Sequence, residues 1–396
     1  MQNYRMYGRR NFYYMNKNNL YQIFQGYIDK FDFLNNETHG EYYKWQICNE
    51  YPTLMKKALE SSDDEFPKAL YEVKKCTQNI IDSYTTPFNG LVELSRKSPE
   101  TVRKMFIDLY QEDGGDLMIR MEKISDFFKR GEELLEKSEY SGSYLFKQNS
   151  HSVSSYLFLN DPDNHYMYKA SHCNAFADCI EFYTDWGSGD NIKLDVYHRL
   201  CDEVLHEVLN SPELLKTDQS RFDDKLKLRP GELHKDSNKH ILLFDIIYCA
   251  SAYSLYGGIN YKKRNSKEKN LYLIEKQKAE EVLQSYNKVK NDLNMLEEAL
   301  DFFVNKCVKG TEITHKKYGK GVIERIDRKY ITASFNEKMN QFSLPLVLAN
   351  RIVIIDIPEF STYADKYRDV LKRSDSILKM QEYYSRELDK YEEYID

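Results

Sequence analysis

The sequence predicts an α+β protein with a mainly α-helical N-terminal domain, an antiparallel coiled-coil stalk and a small β-barrel at the end of that stalk. Three patterns predict it. Apolar residues recur at the helical period from Phe31 to about Tyr256. Two heptad seams of nearly equal length lie before residue 307 and after residue 356. Between them the period changes to short runs rich in Ile, Val, Phe and Thr. The chain of 396 residues allows two or three domains, and 33 Tyr, 20 Phe and 2 Trp against 16 Gly and 9 Pro supply cores rather than disorder.

Residues 1–30 read as a basic, aromatic arm. Arg5, Arg9, Arg10, Lys17 and Lys30 alternate with Tyr4, Tyr7, Phe12, Tyr13 and Tyr14, a composition that stacks on bases and touches phosphates, or packs back on the first domain. The helical domain spans 31–258. Within it Ser98-Pro99 starts a helix that carries Val102, Phe106 and Leu109, the next helix carries Leu117, Met121, Ile124, Phe128 and Leu135, and Asp195 opens another. The stretch 211–239 turns polar around Arg229-Pro230-Gly231 and reads as a surface loop or insertion. The apolar segment His240 to Tyr256 then predicts a buried helix that ends at Gly257-Gly258.

Residues 259–306 read as the first coiled-coil helix, with Ala279, Val282, Tyr286, Val289, Leu293, Leu296, Leu300 and Phe303 at alternating steps of three and four. Residues 357–396 repeat the pattern through Phe360, Tyr363, Tyr367, Val370, Ile377, Tyr384, Leu388 and Tyr391, interrupted at Ser374 and Gln381. The stretches 271–306 and 358–394 match in length, so an antiparallel pairing is expected, with a parallel homodimer through the first seam as the competing arrangement. Five runs between them, Thr311 to His315, Gly321 to Asp327, Tyr330 to Phe335, Gln341 to Leu344 and Ile352 to Asp356, predict a small SH3-like β-barrel over 307–356.

The formal net charge of −6 excludes a general polycation, yet Lys306 to Asp356 holds ten Lys and Arg against five acids. Positive charge concentrated on an acidic chain is a footprint for phosphates, with a protein-docking surface as the blander reading. The candidate nucleic-acid-binding residues there are His315, Lys316, Lys317, Tyr318, Lys320, Arg325, Arg328 and Lys329. In the helical domain Tyr156, Tyr166 and Tyr168 with Lys147 and Lys169 form a second candidate surface if they share a face, and ordinary core packing if they do not. Trp45 and Trp186 read chiefly as core residues, with a pocket for a flipped base as the alternative.

His172, Cys173, Cys179, His198, Cys201 and His206 fall close in sequence but lack the close ligand pairs of a zinc site, so neither metal nor other cofactor is expected. Seven scattered cysteines without a C-x-x-C pair, no apolar run of bilayer length and no secretory signal fit the cytoplasm. No G-x-S-x-G or H-E-x-x-H motif occurs. A metal-dependent nuclease would have to draw on Asp223, Asp224, Glu232 and Lys235.

Two resemblances extend this reading. Gly310, Ile313, His315, Tyr318, Gly319, Gly321 and Val322, followed by Ala333-Ser334-Phe335 and Phe342, resemble the Tudor/SH3-like modules at the C-termini of UvrD/PcrA-type helicases and, more loosely, the RNA-polymerase-interacting domain of CarD. Trp45, the run Thr101 to Tyr110, Arg120, Phe127, Ser154 to Leu159, Asp161-Pro162, Tyr166 to Lys169 and Asp245 to Tyr248 resemble, over about 31–255, the N-terminal sensor-like region of McrB-type restriction AAA+ proteins. The motor itself is not matched, because the chain has no G-x-x-x-x-G-K-[ST] loop. The likenesses imply a non-enzymatic nucleic-acid-binding or adaptor protein, a sensor component of a bacterial anti-phage or restriction system. Its expected partners are DNA and a separate AAA+ motor, nuclease or RNA polymerase. The alternative is a protein-interaction scaffold whose barrel docks on RNA polymerase or a helicase.

Overall fold

The computed structural model describes residues 14–36, 38–78, 80–82, 84–187, 192–222, 232–357 and 359–395. It is α-rich with one antiparallel sheet, and it divides into two units at Asn265/Ser266.

The first unit is built from helices α1 (Lys17–Asp29), α2 (Phe31–Leu34), α3 (Tyr43–Glu60), α4 (Phe66–Cys76), α5 (Pro87–Ser95), α6 (Pro99–Leu109), α7 (Leu117–Glu136), α8 (Ser150–Asn160), α9 (Ala170–Cys179), α10 (Leu194–Leu209), α11 (Pro212–Gln219) and α12 (His240–Ala252). Helix α12 is apolar all round, so it is driven to the centre, where α1, α3, α9 and α10 pack against it. That position puts Asp245, one acid in an apolar sequence, wholly out of water.

A buried carboxylate requires a compensating cation, and two arrive. Lys44 of α3, itself fully buried, donates to Asp245 Oδ1 and, at 2.5 Å, to Glu41. Burial, the largest single influence, would lower the Lys44 pKa, but Asp245, Cys249, Glu41 and Tyr43 together outweigh it and hold it raised. Tyr27 of α1 donates to Asp245 Oδ2 at 2.5 Å, and Arg221 donates to the Tyr27 hydroxyl at 2.9 Å. The Arg221 guanidinium lies 3.7 Å over the Trp45 ring and 3.4 Å from Asp218.

This network corrects three expectations. The polar stretch after residue 211 is not a surface loop where it is described: α11 is helical, and Asp218, Arg221 and Asp236 have no exposed surface because they pair inside. The N-terminal arm does not extend to residue 30. Leu20, Ile23, Phe24 and Tyr27 of α1 are core, Lys17 pairs with Glu207 at 2.7 Å, and Lys30 donates to the Tyr253 carbonyl at 2.9 Å. Residues 1–13, with Arg5, Arg9 and Arg10, lie outside the described residues. On α7 the inward stripe is Arg120, Ile124, Phe127, Gly131 and Leu135, one position off the expected Phe128.

The second unit opens with α13 (Ser266–Lys306), continues through β1 (Glu312–His315), β2 (Gly319–Ile326), β3 (Tyr330–Phe335), β4 (Lys338–Ser343), α14 (Leu344–Asn350) and β5 (Val353–Ile355), and closes with α15 (Phe360–Leu371) and α16 (Ser374–Asp389). The chain folds back on α13: Phe303 meets Phe360 at 5.6 Å, Phe302 stacks on Tyr363 at 3.9 Å, Val289 shares a cluster with Val370 and Ile377, and Tyr272 meets Tyr394 at 5.4 Å. The returning strand of the hairpin is two helices rather than one, broken at Lys372 and Arg373 beside the polar interruption at Ser374.

The sheet order is β4-β3-β2-β1-β5, all antiparallel, and β4 does not pair with β5, so the sheet is open rather than a closed barrel. Its apolar face, including Ile313, Ile323, Ile331, Ala333 and Phe335, is covered instead by Leu300, Phe303, Leu344, Val347, Leu348 and Phe360. Helices supply the cover that barrel closure would have provided.

Replacing Asp245 with Ala leaves the Lys44 ammonium and the Arg221 guanidinium buried with too little counter-charge. Urea unfolding of Asp245→Ala is expected to lose about 3–5 kcal/mol. A loss under about 1 kcal/mol would show that the network is incidental to the first unit's stability.

Candidate nucleic-acid interface

Among the described residues, positive charge without acidic partners gathers at one end of the sheet. Lys316, Lys317 and Tyr318 form the three-residue β1–β2 turn, which closes through Gly319 at φ +77°, a left-handed conformation that glycine adopts without strain. The next glycine, Gly321, serves close packing rather than a turn. A Cβ there would lie 2.5 Å from the Ser334 carbonyl oxygen and 2.6 Å from the Phe335 ring.

His315 Nδ1 accepts from the backbone N–H groups of Lys317 at 3.0 Å and Tyr318 at 3.2 Å, which leaves the ring proton on Nε2. The His315 ring stacks against Tyr318 at 4.5 Å and Phe342 at 5.0 Å, which also meet each other at 6.5 Å, with Phe335 edge-on at 6.1 Å. Tyr318 keeps 38% of its surface exposed, and Lys317 Nζ lies 5.6 Å from its ring centre. Lys338, at the start of β4, belongs to the same end, since β3 and β4 turn there.

The structure divides the eight residues proposed from sequence. His315, Lys316, Lys317, Tyr318 and Lys320 stay together. Arg325, Arg328 and Lys329 lie toward the β2–β3 turn at the opposite end, about 20 Å away at the usual rise of a strand. The protein's own acids also occupy several cations: Arg328 donates to Asp301 at 2.5 Å and to Glu297 at 3.2 Å, Lys309 pairs with Glu324 at 2.8 Å, Arg351 pairs with Asp365 at 2.5 Å, and Arg325 is 4.0 Å from Asp327. Among the described residues, Lys316, Lys317, Lys320 and Lys338 enter no ion pair.

In the first unit the five residues proposed from sequence do not form one surface. Tyr156 is fully buried against Phe88, Phe106 and Phe127, and its hydroxyl donates to Gln148 at 3.1 Å, so it offers no ring to a base. Tyr168 is 3% exposed and packs edge-on against Tyr197. Lys169 is half-buried 5.1 Å from the Tyr248 ring, its pKa lowered by burial and by Lys44. Lys147 lies 3.6 Å from Glu132 at the rim of a pocket of about 400 Å³. Trp45 and Trp186 are core residues.

Tyr166 belongs to a feature that sequence reasoning missed, a cleft of about 960 Å³ between the α6–α7 loop, the α8–α9 loop, α10 and the start of α12. Its ring lies 5.1 Å from His198 and 4.3 Å from His240, and its hydroxyl donates to Asp202 at 2.7 Å. Arg120 forks onto both Asp113 oxygens at 2.8 and 3.0 Å. The spacing of His198 and Asp202, four residues apart on α10, was the one local signal; His165 and His240 come from distant segments.

The cysteines of the possible zinc set are buried, with Cys173 3.5 Å from the Tyr197 hydroxyl and Cys201 on the same hydroxyl, and they form no ligand group among the described residues. Among the described residues one group converges closely enough to hold an ion, Glu41, Asp245 and Cys249, and there the Lys44 ammonium already sits on both carboxylates. Asp223 and Asp224 of the nuclease alternative lie outside the described residues.

Burial pushes six imidazoles of the first unit down: His165 and His198 to about 3, His151 and His172 to about 4, and His234 and His240 in the same direction. Their native pKa values lie below the value of about 6.5 in an unfolded chain, so on acidification the unfolded state takes up protons that the native state does not. The stability this provides is complete above pH 6.5 and is lost as pH falls toward 3. Burial raises the Asp236 carboxyl to about 7, so it gains a native-state proton in the same window and offsets part of this loss. Urea unfolding of the first unit is expected to weaken from pH 7.5 to pH 5 more steeply in wild type than in His198→Asn; an identical pH dependence in the two would show that the His198 imidazole titrates normally.

No family model, curated protein or solved structure matches the chain.

Proposed function

We propose that this is a non-enzymatic nucleic-acid-binding protein whose second unit holds the phosphate backbone at the β1–β2 end of its sheet. One observation carries the reading: Lys316, Lys317, Lys320 and Lys338 gather at that end without acidic partners, while Lys309, Arg328 and Arg351 are paired with the protein's own acids. Ammonium groups in that arrangement release counterions from a polyanion on contact. The strand order, with α14 between β4 and β5, supports an SH3-like module, and the fold-back of α15 and α16 on α13 supports a coiled-coil stalk that closes within one chain. In this reading the first unit is the sensor-like part of an anti-phage or restriction system and works with a separate AAA+ motor or nuclease.

A second reading has its own observation. Val322, Met339 and Ile354 stand 37%, 58% and 54% exposed on the sheet's outer side, a surface on which a protein such as RNA polymerase or a helicase would dock.

The double variant Lys316→Glu/Lys320→Glu separates the two. Fluorescence polarisation with labelled oligonucleotide at low salt is expected to show binding at least about tenfold weaker, with the dependence of log K on log salt shallower by about 0.7 for each lost contact. Wild-type binding that ignores salt, or a variant that binds like wild type, would remove the phosphate-led reading and leave the docking one.

A further inference from the structure

We infer that the same end of the sheet selects single-stranded nucleic acid by stacking an unpaired base on Tyr318. This rests on the phosphate-binding reading above and adds the substrate class. The geometry points to a base for three reasons.

Tyr318 and Phe342 both lie against His315, at 4.5 and 5.0 Å with inclinations of 25°, and meet each other at 6.5 Å and 47°, so the rings form a compact cluster at whose rim Tyr318 stays 38% exposed. A clustered ring that stays partly open to solvent offers a π-surface, and every nucleobase has a matching face. The cluster is also held in place before anything binds. The two backbone N–H bonds onto His315 Nδ1 fix the turn to the imidazole, and the edge of Phe335 supports it from the core side. Little ordering cost is left for the ligand to offset.

Charge completes the arrangement. Lys316 and Lys317 precede Tyr318 directly, Lys320 follows two residues on, and Lys317 Nζ is already 5.6 Å from the ring centre. A nucleotide whose base lies on Tyr318 places its flanking phosphates among these ammonium groups. In a duplex the base faces are covered by their neighbours, so the same turn is left with phosphates alone.

The test uses the full chain and three probes in polarisation titrations: a thymine oligonucleotide, the same strand in a duplex, and inorganic polyphosphate, which has the charge without the bases. The wild-type protein is expected to bind the single strand more tightly than either other probe. Tyr318→Ala is expected to weaken the single strand by about 5- to 150-fold, the factor for one stacked base, and to change polyphosphate by less than about twofold. Tyr318→Phe, which keeps the ring, is expected to restore the preference. Equal wild-type affinity for single strand and duplex, or a Tyr318→Ala variant that loses both ligands alike or neither, overturns the stacking inference while the phosphate reading stands. Failure of the wild-type protein to bind any of the three at low salt removes both.

Discussion

Each charge withdrawn from water must find an opposite partner, and much of this molecule's organisation follows from how that requirement is met. Asp245 lies at the centre of an apolar helix, where an unpaired carboxylate is untenable. Lys44, Tyr27 and Arg221 therefore converge on it from α3, α1 and the turn after α11, three segments far apart in sequence. The hydrophobic effect brings these helices together without fixing their register. A short bond between two named side chains is far more demanding of position, so the network is better suited to choosing one packing among several than to adding net stability.

The same requirement acts differently at the surface of the second unit. Exposed pairs such as Arg328 with Asp301 and Lys309 with Glu324 contribute little to folding, because solvent screens them. They matter for what they remove. Ten cations in fifty-one residues suggest a field spread over the whole segment, whereas Arg328 at the β2–β3 end is paired with Asp301 and Glu297 and Arg325 approaches Asp327, so that end is weakened more than the β1–β2 end. Composition measures the amount of charge; its useful part is set by which acids the fold brings within reach.

That distinction also explains what could be read from the sequence. The strands were legible because alternation is local: the run Tyr330 to Phe335 is β3 residue for residue, and the heptad through Val289, Leu300 and Phe303 is the inner face of α13. Fold-back within the chain was legible from matching lengths, but the break at Lys372 and Arg373 and the replacement of barrel closure by a helical cover were not, since both depend on what packs against the seam. Tyrosine was the least legible residue. Tyr156 and Tyr318 have the same chemistry in the sequence, yet one is sealed among Phe88, Phe106 and Phe127 and the other caps a turn. The histidine cleft was invisible for a related reason: His165, His198 and His240 are brought together by three different elements.

The location of the proposed site at a turn, rather than on a strand face, follows from backbone geometry. A strand presents alternate side chains to a flat surface, which suits packing and gives long lysines no common focus. The β1–β2 turn instead brings Lys316, Lys317 and Tyr318 together, and Gly319 at φ +77° permits the tight closure. At Gly321 the missing Cβ lets β2 approach Ser334 and leaves room for the Phe335 ring, against which both His315 and Tyr318 rest. Two glycines with different tasks, one conformational and one steric, thus let a four-ring cluster form beside lysines that have no acid to neutralise them. An aromatic cluster so held is rigid where a binding surface benefits from rigidity, and the flexible lysine stems around it supply the reach that a polymer of varying sequence requires.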